Sequence, residues 1–148
     1  FTAEIMVGEI WRLITPIFLH FSFFHIFFNM CWLYDLGNQI ENKKGPKFFL
    51  TFVIILAVAS NLAQFLYSGS NFGGMSGVVY GLFGYVWIKC KLDPADGFRL
   101  NQTVAVIMFA FFFLCFFGFF GNIANAAHAG GLIVGIAWGY ASAFKWTR

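Results

Sequence analysis

Charge is scarce in this sequence. Only 10% of the 148 residues are Asp, Glu, Lys or Arg, whereas 60% are hydrophobic and 23 are Phe. So little polar surface cannot keep a folded chain of this length in water, which excludes a water-soluble domain. The composition instead predicts an integral membrane protein, an all-α polytopic helical bundle that forms one domain over residues 1–148.

Cysteine is also sparse. Cys31, Cys90 and Cys115 lie in or at the ends of apolar segments and lack C-x-x-C spacing. The sequence therefore predicts neither a disulfide framework nor a thiolate metal site. The net charge of +3 would suggest a nucleic-acid partner in a soluble protein. Here the placement of the basic residues is explained by membrane topology, and no nucleic-acid partner is expected.

Five apolar stretches predict transmembrane spans, over residues 20–40, 48–67, 77–88, 104–120 and 123–144. Residues 1–19 are mixed and aromatic and contain Pro16, which favours an interfacial outer loop lying along the membrane surface. Because the chain starts on the outer side, with Phe1 rather than Met, we expect an upstream span to be missing from this fragment.

The basic residues give the orientation of these spans. Eight of nine fall on one side: Lys43, Lys44, Lys47, Lys89, Lys91, Arg99, Lys145 and Arg148. By the positive-inside rule that side is cytoplasmic. Residues 1–19 and the turns at 68–74 and 121–122 then face the outer side.

A glycine-rich stretch, residues 73–81, carries the predicted nucleophile, Ser76. Gly74, two residues before it, allows an unusual backbone path. Gly77 and Gly81 leave the following helix with a small-residue flank, which permits close helix packing. The thirteen residues from 76 to 88 cover about 20 Å, against a hydrocarbon core of about 30 Å. Ser76 is therefore predicted on the order of 10 Å below the outer surface, in a hydrated pit.

Polar side chains from other spans are predicted at the same depth. His25 and Asn29 are four residues apart and share one helix face. Asn125 and His128 lie in the outer part of the last span. Ionisable groups inside a membrane are costly and usually mark a functional path. The alternative is that these side chains only join helices by hydrogen bonds.

His128 is the predicted general base. Gly131 and Gly135 lie on its helix face, so this helix can approach the helix of Ser76 closely, and His128 could accept the Ser76 proton. Four carboxylates fall toward the cytoplasmic side: Asp35, Glu41, Asp93 and Asp96. We therefore predict a Ser–His dyad rather than a triad.

Taken together, these motifs resemble those of the rhomboid intramembrane serine proteases. The motifs that carry the resemblance are Trp11-Arg12, His20-x4-His25-x3-Asn29, Glu41, Gly74-x-Ser76-Gly77 with Tyr80, and Ala127-His128-x2-Gly131-x3-Gly135. The resemblance implies a bacterial-type protease with a six-span core, of which this chain holds five spans. It also implies cleavage of transmembrane segments of membrane-protein substrates, without a metal or other cofactor. The expected location is the bacterial inner membrane, with the active site open to the periplasmic side.

The resemblance further assigns roles to individual residues. Ser76 is the nucleophile and His128 the base. An oxyanion hole is formed by His25, Asn29 and the backbone N–H of Ser76. Supporting roles fall to Gly74, Tyr80, His20 and Asn125, with Tyr80 stacked beside His128. Helix packing is assigned to Gly77, Gly81, Ala127, Gly131 and Gly135.

Three other functions fit parts of the sequence. His20, His25 and His128 could bind zinc, although an H-E-x-x-H motif is absent and no acidic residue beside them could act as a general base. A transporter or channel with a polar path at the membrane midplane is a non-enzymatic alternative. A catalytically silent protein that binds membrane helices is another, and the presence of both Ser76 and His128 disfavours it.

Overall fold

The computed structural model describes residues 2–119, 121 and 123–144. These residues form the helices α1 (Thr2–Met6), α2 (Phe23–Lys44), α3 (Pro46–Ser68), α4 (Ser76–Leu92), α5 (Gln102–Phe116) and α6 (Asn125–Phe144). Short 3₁₀ turns lie at Ile10–Leu13, Thr15–Phe18 and Pro94–Asp96. The predicted all-α bundle is confirmed. Phe120, at the end of the fourth predicted span, residue 122 in the turn after it, and the basic residues Lys145 and Arg148 lie outside the described residues.

Helices α2 to α6 correspond in order to the five predicted spans. Among the described residues, α3 is the one helix that is both long and apolar enough to cross a membrane, with a mean hydropathy of 2.1 over its most apolar window. Helix α5 is also apolar, but with 15 residues it is too short to meet the length criterion for a span. Charged and polar residues lower the hydropathy of α2, and glycines lower that of α6.

Local side-chain chemistry sets where α2 begins and ends. The Ser22 Oγ accepts a hydrogen bond from the His25 N–H at 3.2 Å, and this N-cap starts the helix three residues later than the predicted span. At the other end Gly45 has φ of 85°, a conformation that L side chains rarely adopt. Pro46 follows as the first residue of α3, where its missing N–H costs nothing.

Helix α4 is the centre of the bundle. Eleven of its 17 residues are buried, whereas α5 buries only Met108 and Cys115 of its 15 residues. Helices α2, α3 and α6 pack around α4. Ser76 therefore begins the most buried of the helices α2 to α6, and α5 is the most peripheral of the five.

An ion cluster joins α2 to the far end of α4. Lys89 is fully buried, and its Nζ lies 2.5 Å from Asp93 Oδ2 and 2.8 Å from Asp96 Oδ2. Lys44, the last residue of α2, has its Nζ 2.7 Å from Asp96 Oδ2. Burial alone favours the neutral carboxyl, but hydrogen bonds from Lys44 and Lys89 outweigh it and lower the pKa of Asp96.

Candidate active site

The loop before α4 is held so that Ser76 becomes the first residue of the helix. The Gly74 N–H donates to the Pro16 carbonyl at 3.0 Å, and Gly74 has φ of 122°. A Cβ placed on Gly74 would lie 2.6 Å from the His25 ring, so only glycine fits there. Ser76 itself is half-buried.

Helices α4 and α6 meet backbone to backbone below Ser76. A Cβ on Gly131 would collide with the Gly77 carbonyl oxygen, and a Cβ on Gly135 would collide with the Gly81 carbonyl oxygen. The Ala127 carbonyl oxygen also lies near Gly77, 3.0 Å from the position that a Cβ would take there. Glycine at these positions lets the two helices approach more closely than any side chain would allow.

This close approach brings the two predicted catalytic residues into contact. His128 Nε2 lies 2.7 Å from Ser76 Oγ, and His128 is only 3% exposed. The other ring nitrogen, Nδ1, is buried and has no hydrogen-bond partner in the described part of the chain. When the proton is on Nδ1, Nε2 is free to accept the hydrogen bond from the Ser76 hydroxyl.

The aromatic ring of Tyr80 covers one side of His128. The two ring centroids are 4.8 Å apart with the planes tilted by 41°. The Tyr80 hydroxyl donates to the Met108 carbonyl of α5 at 3.1 Å. Tyr80 therefore touches both the predicted base and a neighbouring helix.

Of the two predicted oxyanion residues of α2, His25 lies beside the loop that precedes Ser76. The His25 ring abuts Gly74, and Asn29, one turn further along α2, is 5% exposed. Asn29 Nδ2 has no partner among the described residues, so it is a buried donor available to a ligand. Such a donor is costly to bury unless it is used.

His20 contacts both the loop and His25. Its Nε2 faces the Met75 N–H at 3.5 Å, its Nδ1 lies 3.2 Å from the Phe18 carbonyl oxygen, and its ring centroid is 4.9 Å from that of His25. The described residues contain no group of three His, Cys, Asp or Glu side chains arranged to hold a metal ion.

Asn125, a predicted supporting residue, faces α5. Its Nδ2 donates to the Cys115 carbonyl at 2.9 Å, which ties the end of α5 to the first turn of α6. The roles assigned to this residue, and to the other site residues, remain predictions.

Sequence reasoning missed two polar residues of α3. Gln64 Oε1 accepts a hydrogen bond from the Ala127 N–H at 3.0 Å, directly before His128. Asn61 Nδ2 donates to the Leu13 carbonyl at 2.8 Å and so attaches the outer loop to the bundle. Both are buried amides in an otherwise apolar span. Polar residues in such a span usually have a function, and this pattern could have identified the two residues from the sequence.

Comparison with known proteins agrees with this arrangement. The model of the Rhomboid domain family matches residues 7–143. The chain is 42% identical over 129 residues to Rhomboid protease GlpG of Yersinia pseudotuberculosis serotype I, a match that covers 86% of this chain and 46% of that protein. Rhomboid protease GlpG of Salmonella newport is 41% identical over 132 residues, with 87% and 47% covered. The chain thus spans about half the length of the curated relatives it matches.

Proposed function

Because the chain belongs to the rhomboid family and is therefore an integral membrane protein, we propose that it is an intramembrane serine endopeptidase that cleaves transmembrane segments of other membrane proteins. The observation that carries this proposal is the 2.7 Å contact between Ser76 Oγ and His128 Nε2. A serine hydroxyl is a weak nucleophile until a neighbouring base removes its proton.

The reaction follows from that contact. Ser76 Oγ attacks the scissile carbonyl while His128 Nε2 takes its proton, and the resulting imidazolium gives that proton to the leaving amine. An ester between Ser76 and the acyl half of the substrate remains. Water then attacks this ester while His128 takes a proton from it, the bond between the acyl carbon and Ser76 Oγ breaks, and His128 returns the proton to Oγ as the acyl product leaves as a carboxylate.

The negative charge that forms on the carbonyl oxygen needs donors. Asn29 Nδ2 is buried and unpartnered among the described residues, and His25 lies against the reactive loop. The N–H of Ser76, at the N-terminus of α4, has no acceptor within its own helix. Together these three donors form the proposed oxyanion hole.

We place the enzyme in the bacterial inner membrane, as one rhomboid domain over residues 1–148. Its active site opens to the periplasmic side, because the basic residues gather at the opposite end of the spans. The lipid bilayer and transmembrane substrates are its partners, and it needs no cofactor.

Covalent labelling tests this function directly. A fluorophosphonate probe should modify the detergent-solubilised full-length protein at Ser76, and Ser76→Ala and His128→Ala should each abolish labelling. Ser142→Ala, at the far end of α6, is the matched control and should label normally. A protein that neither labels nor cleaves a fluorescent transmembrane substrate would contradict the proposed function. Assays of transport and of binding to membrane helices would then test the two non-enzymatic alternatives.

A further inference from the structure

The basic residues at the end of the bundle opposite Ser76 fall into two groups. In the ion cluster, two carboxylates neutralise Lys44 and Lys89. The other basic residues that the structure describes at this end are exposed and form no ion pair with a described residue: Lys43, Lys47, Lys91 and Arg99. Even when Asp35 and Glu41 are counted against them, this surface carries a net positive charge.

Two contacts hold the segment before α5 against the last turns of α2. Gln39 Oε1 accepts a hydrogen bond from the Arg99 N–H at 3.0 Å. One turn further along α2, the Lys43 Nζ lies 5.5 Å from the ring centroid of Phe98, which is within cation–π distance. Gln39 and Lys43 are four residues apart and therefore share one face of the helix. The Lys43 ammonium and the backbone of Arg99 are thus fixed on the same side of α2.

Lys43 and Arg99 lie close enough to bind one anion together. A Cβ on Gly97 would lie 3.0 Å from the Lys43 Nζ, so this ammonium adjoins Gly97. Arg99 follows two residues later, and two residues of extended chain span at most about 7 Å. The carboxylate on the same face of α2, Asp35, lies about 12 Å from Lys43 along the helix axis. Both cations therefore have donor groups available to a ligand.

The surroundings of this pair favour a lipid over a soluble anion. Helices α2 and α4 end on this side of the bundle, and α3 and α5 begin there. Leu50 and Val106 lie one turn inside α3 and α5 and are 62% and 61% exposed. Exposed apolar side chains about 6 Å from the helix ends are suited to contact acyl chains, with the cations at the level of the headgroups.

We propose that Lys43 and Arg99 form a binding site for the headgroup phosphate of an anionic phospholipid. Lys43 supplies a point charge held in place by Phe98, and the Arg99 guanidinium supplies a planar pair of donors that matches a phosphate. A zwitterionic phospholipid carries a further cation, which the neighbouring lysines repel. The site lies about 27 Å along α2 from His25 and does not depend on the proposed protease function.

Native mass spectrometry of the detergent-purified full-length protein, titrated with phosphatidylglycerol, measures the affinity for the first bound lipid. Lys43→Gln and Arg99→Gln should each weaken this affinity about 5-fold, the usual contribution of one basic residue near anionic lipid. Lys43→Arg keeps the charge and should retain binding. Lys91→Gln is the matched control, because it removes another exposed lysine from the same end of the bundle and should leave the affinity nearly unchanged.

Phosphatidylcholine with the same acyl chains should bind more weakly than phosphatidylglycerol, and inorganic phosphate should not displace the lipid. Thermal unfolding without lipid shows whether each variant is folded. Phosphatidylglycerol should then raise the unfolding midpoint of Lys91→Gln more than that of Lys43→Gln or Arg99→Gln. Equal loss of affinity in all three variants would overturn the inference, because a diffuse positive surface would explain the binding. Equal affinity for phosphatidylcholine, or displacement by phosphate, would overturn the assignment of the ligand.

Discussion

Gln64 Oε1 accepts a hydrogen bond from the Ala127 N–H across 3.0 Å, so a side chain of α3 provides an acceptor for the first turn of α6. The first N–H groups of a helix have no carbonyl partner in that helix. Because Ala127 precedes His128 directly, this bond also fixes where the predicted base enters the site.

Replacing Gln64 with Leu should destabilise the protein by about 1–3 kcal/mol, because the Ala127 N–H would stay buried without an acceptor. Thermal unfolding in detergent measures this loss. Gln39→Leu is the matched control, since Gln39 Oε1 also accepts a backbone N–H, from Arg99 at 3.0 Å, but at an exposed site where water can replace it. Equal losses in the two variants would contradict the capping role of Gln64.

Asn29→Ala should lower kcat by up to about 100-fold and leave KM nearly unchanged, because the lost donor acts on charge that develops only in the transition state. Cleavage of a transmembrane substrate at several concentrations separates the two constants. Asn38→Ala changes the same residue type on the same helix and should keep wild-type kinetics. Full activity in the double variant with Asn29→Ala and His25→Ala would show that both residues serve only helix packing.

Gly135→Ala should cost about 1–3 kcal/mol of stability, because the added methyl group meets the Gly81 carbonyl and α4 and α6 must separate. Gly139→Ala should cost less, since its Cβ would lie 3.1 Å from the nearest atom, the Tyr85 carbonyl oxygen. Ala137→Gly, at an exposed position of the same helix, measures the difference in intrinsic helix propensity between alanine and glycine. The unfolding midpoints should rank accordingly, and an inverted order for the two glycines would argue against a glycine contact between the helices.

The ion cluster predicts a pH dependence of stability. The pKa of Asp96 is lowered, so its stabilising contribution is complete above the unfolded-state pKa of about 3.9 and is lost as pH falls through the lower, folded-state pKa. Asp96→Asn should therefore cost roughly 1–3 kcal/mol at pH 7, and the difference from wild type should shrink below about pH 4.

Asp35→Asn is the control for this cluster, because Asp35 is exposed and makes no ion pair with a described residue. Its stability should follow that of the wild type from neutral to acidic pH. A constant difference between Asp96→Asn and wild type across the whole range would show that ionisation of Asp96 does not stabilise the fold.

The helices and the contact between Ser76 and His128 were predictable because they depend on local pattern. Apolar runs gave the helices, and glycines on the helix faces of both residues predicted the close approach. The contacts of Gln64 and Lys44 were not predictable, because no motif or glycine pattern in the sequence indicates which residues they meet. The inward side of α5 also escaped prediction, since its phenylalanines are spread around the helix. Contacts with α4 define that side, such as those of Met108 and Phe112 with Tyr80.

The glycine contacts between α4 and α6 also determine how this protein fails on heating. Gly131 and Gly135 lie so close to the Gly77 and Gly81 carbonyl oxygens that a Cβ would collide with them, a geometry that favours weak Cα–H···O contacts as well as dispersion forces between the two helices. Such a pair opens only when the whole bundle opens, and its amide protons should exchange more slowly than those of α5. We therefore expect the contact between Ser76 and His128 to be lost together with the bundle, so that heat should break it in the global unfolding transition.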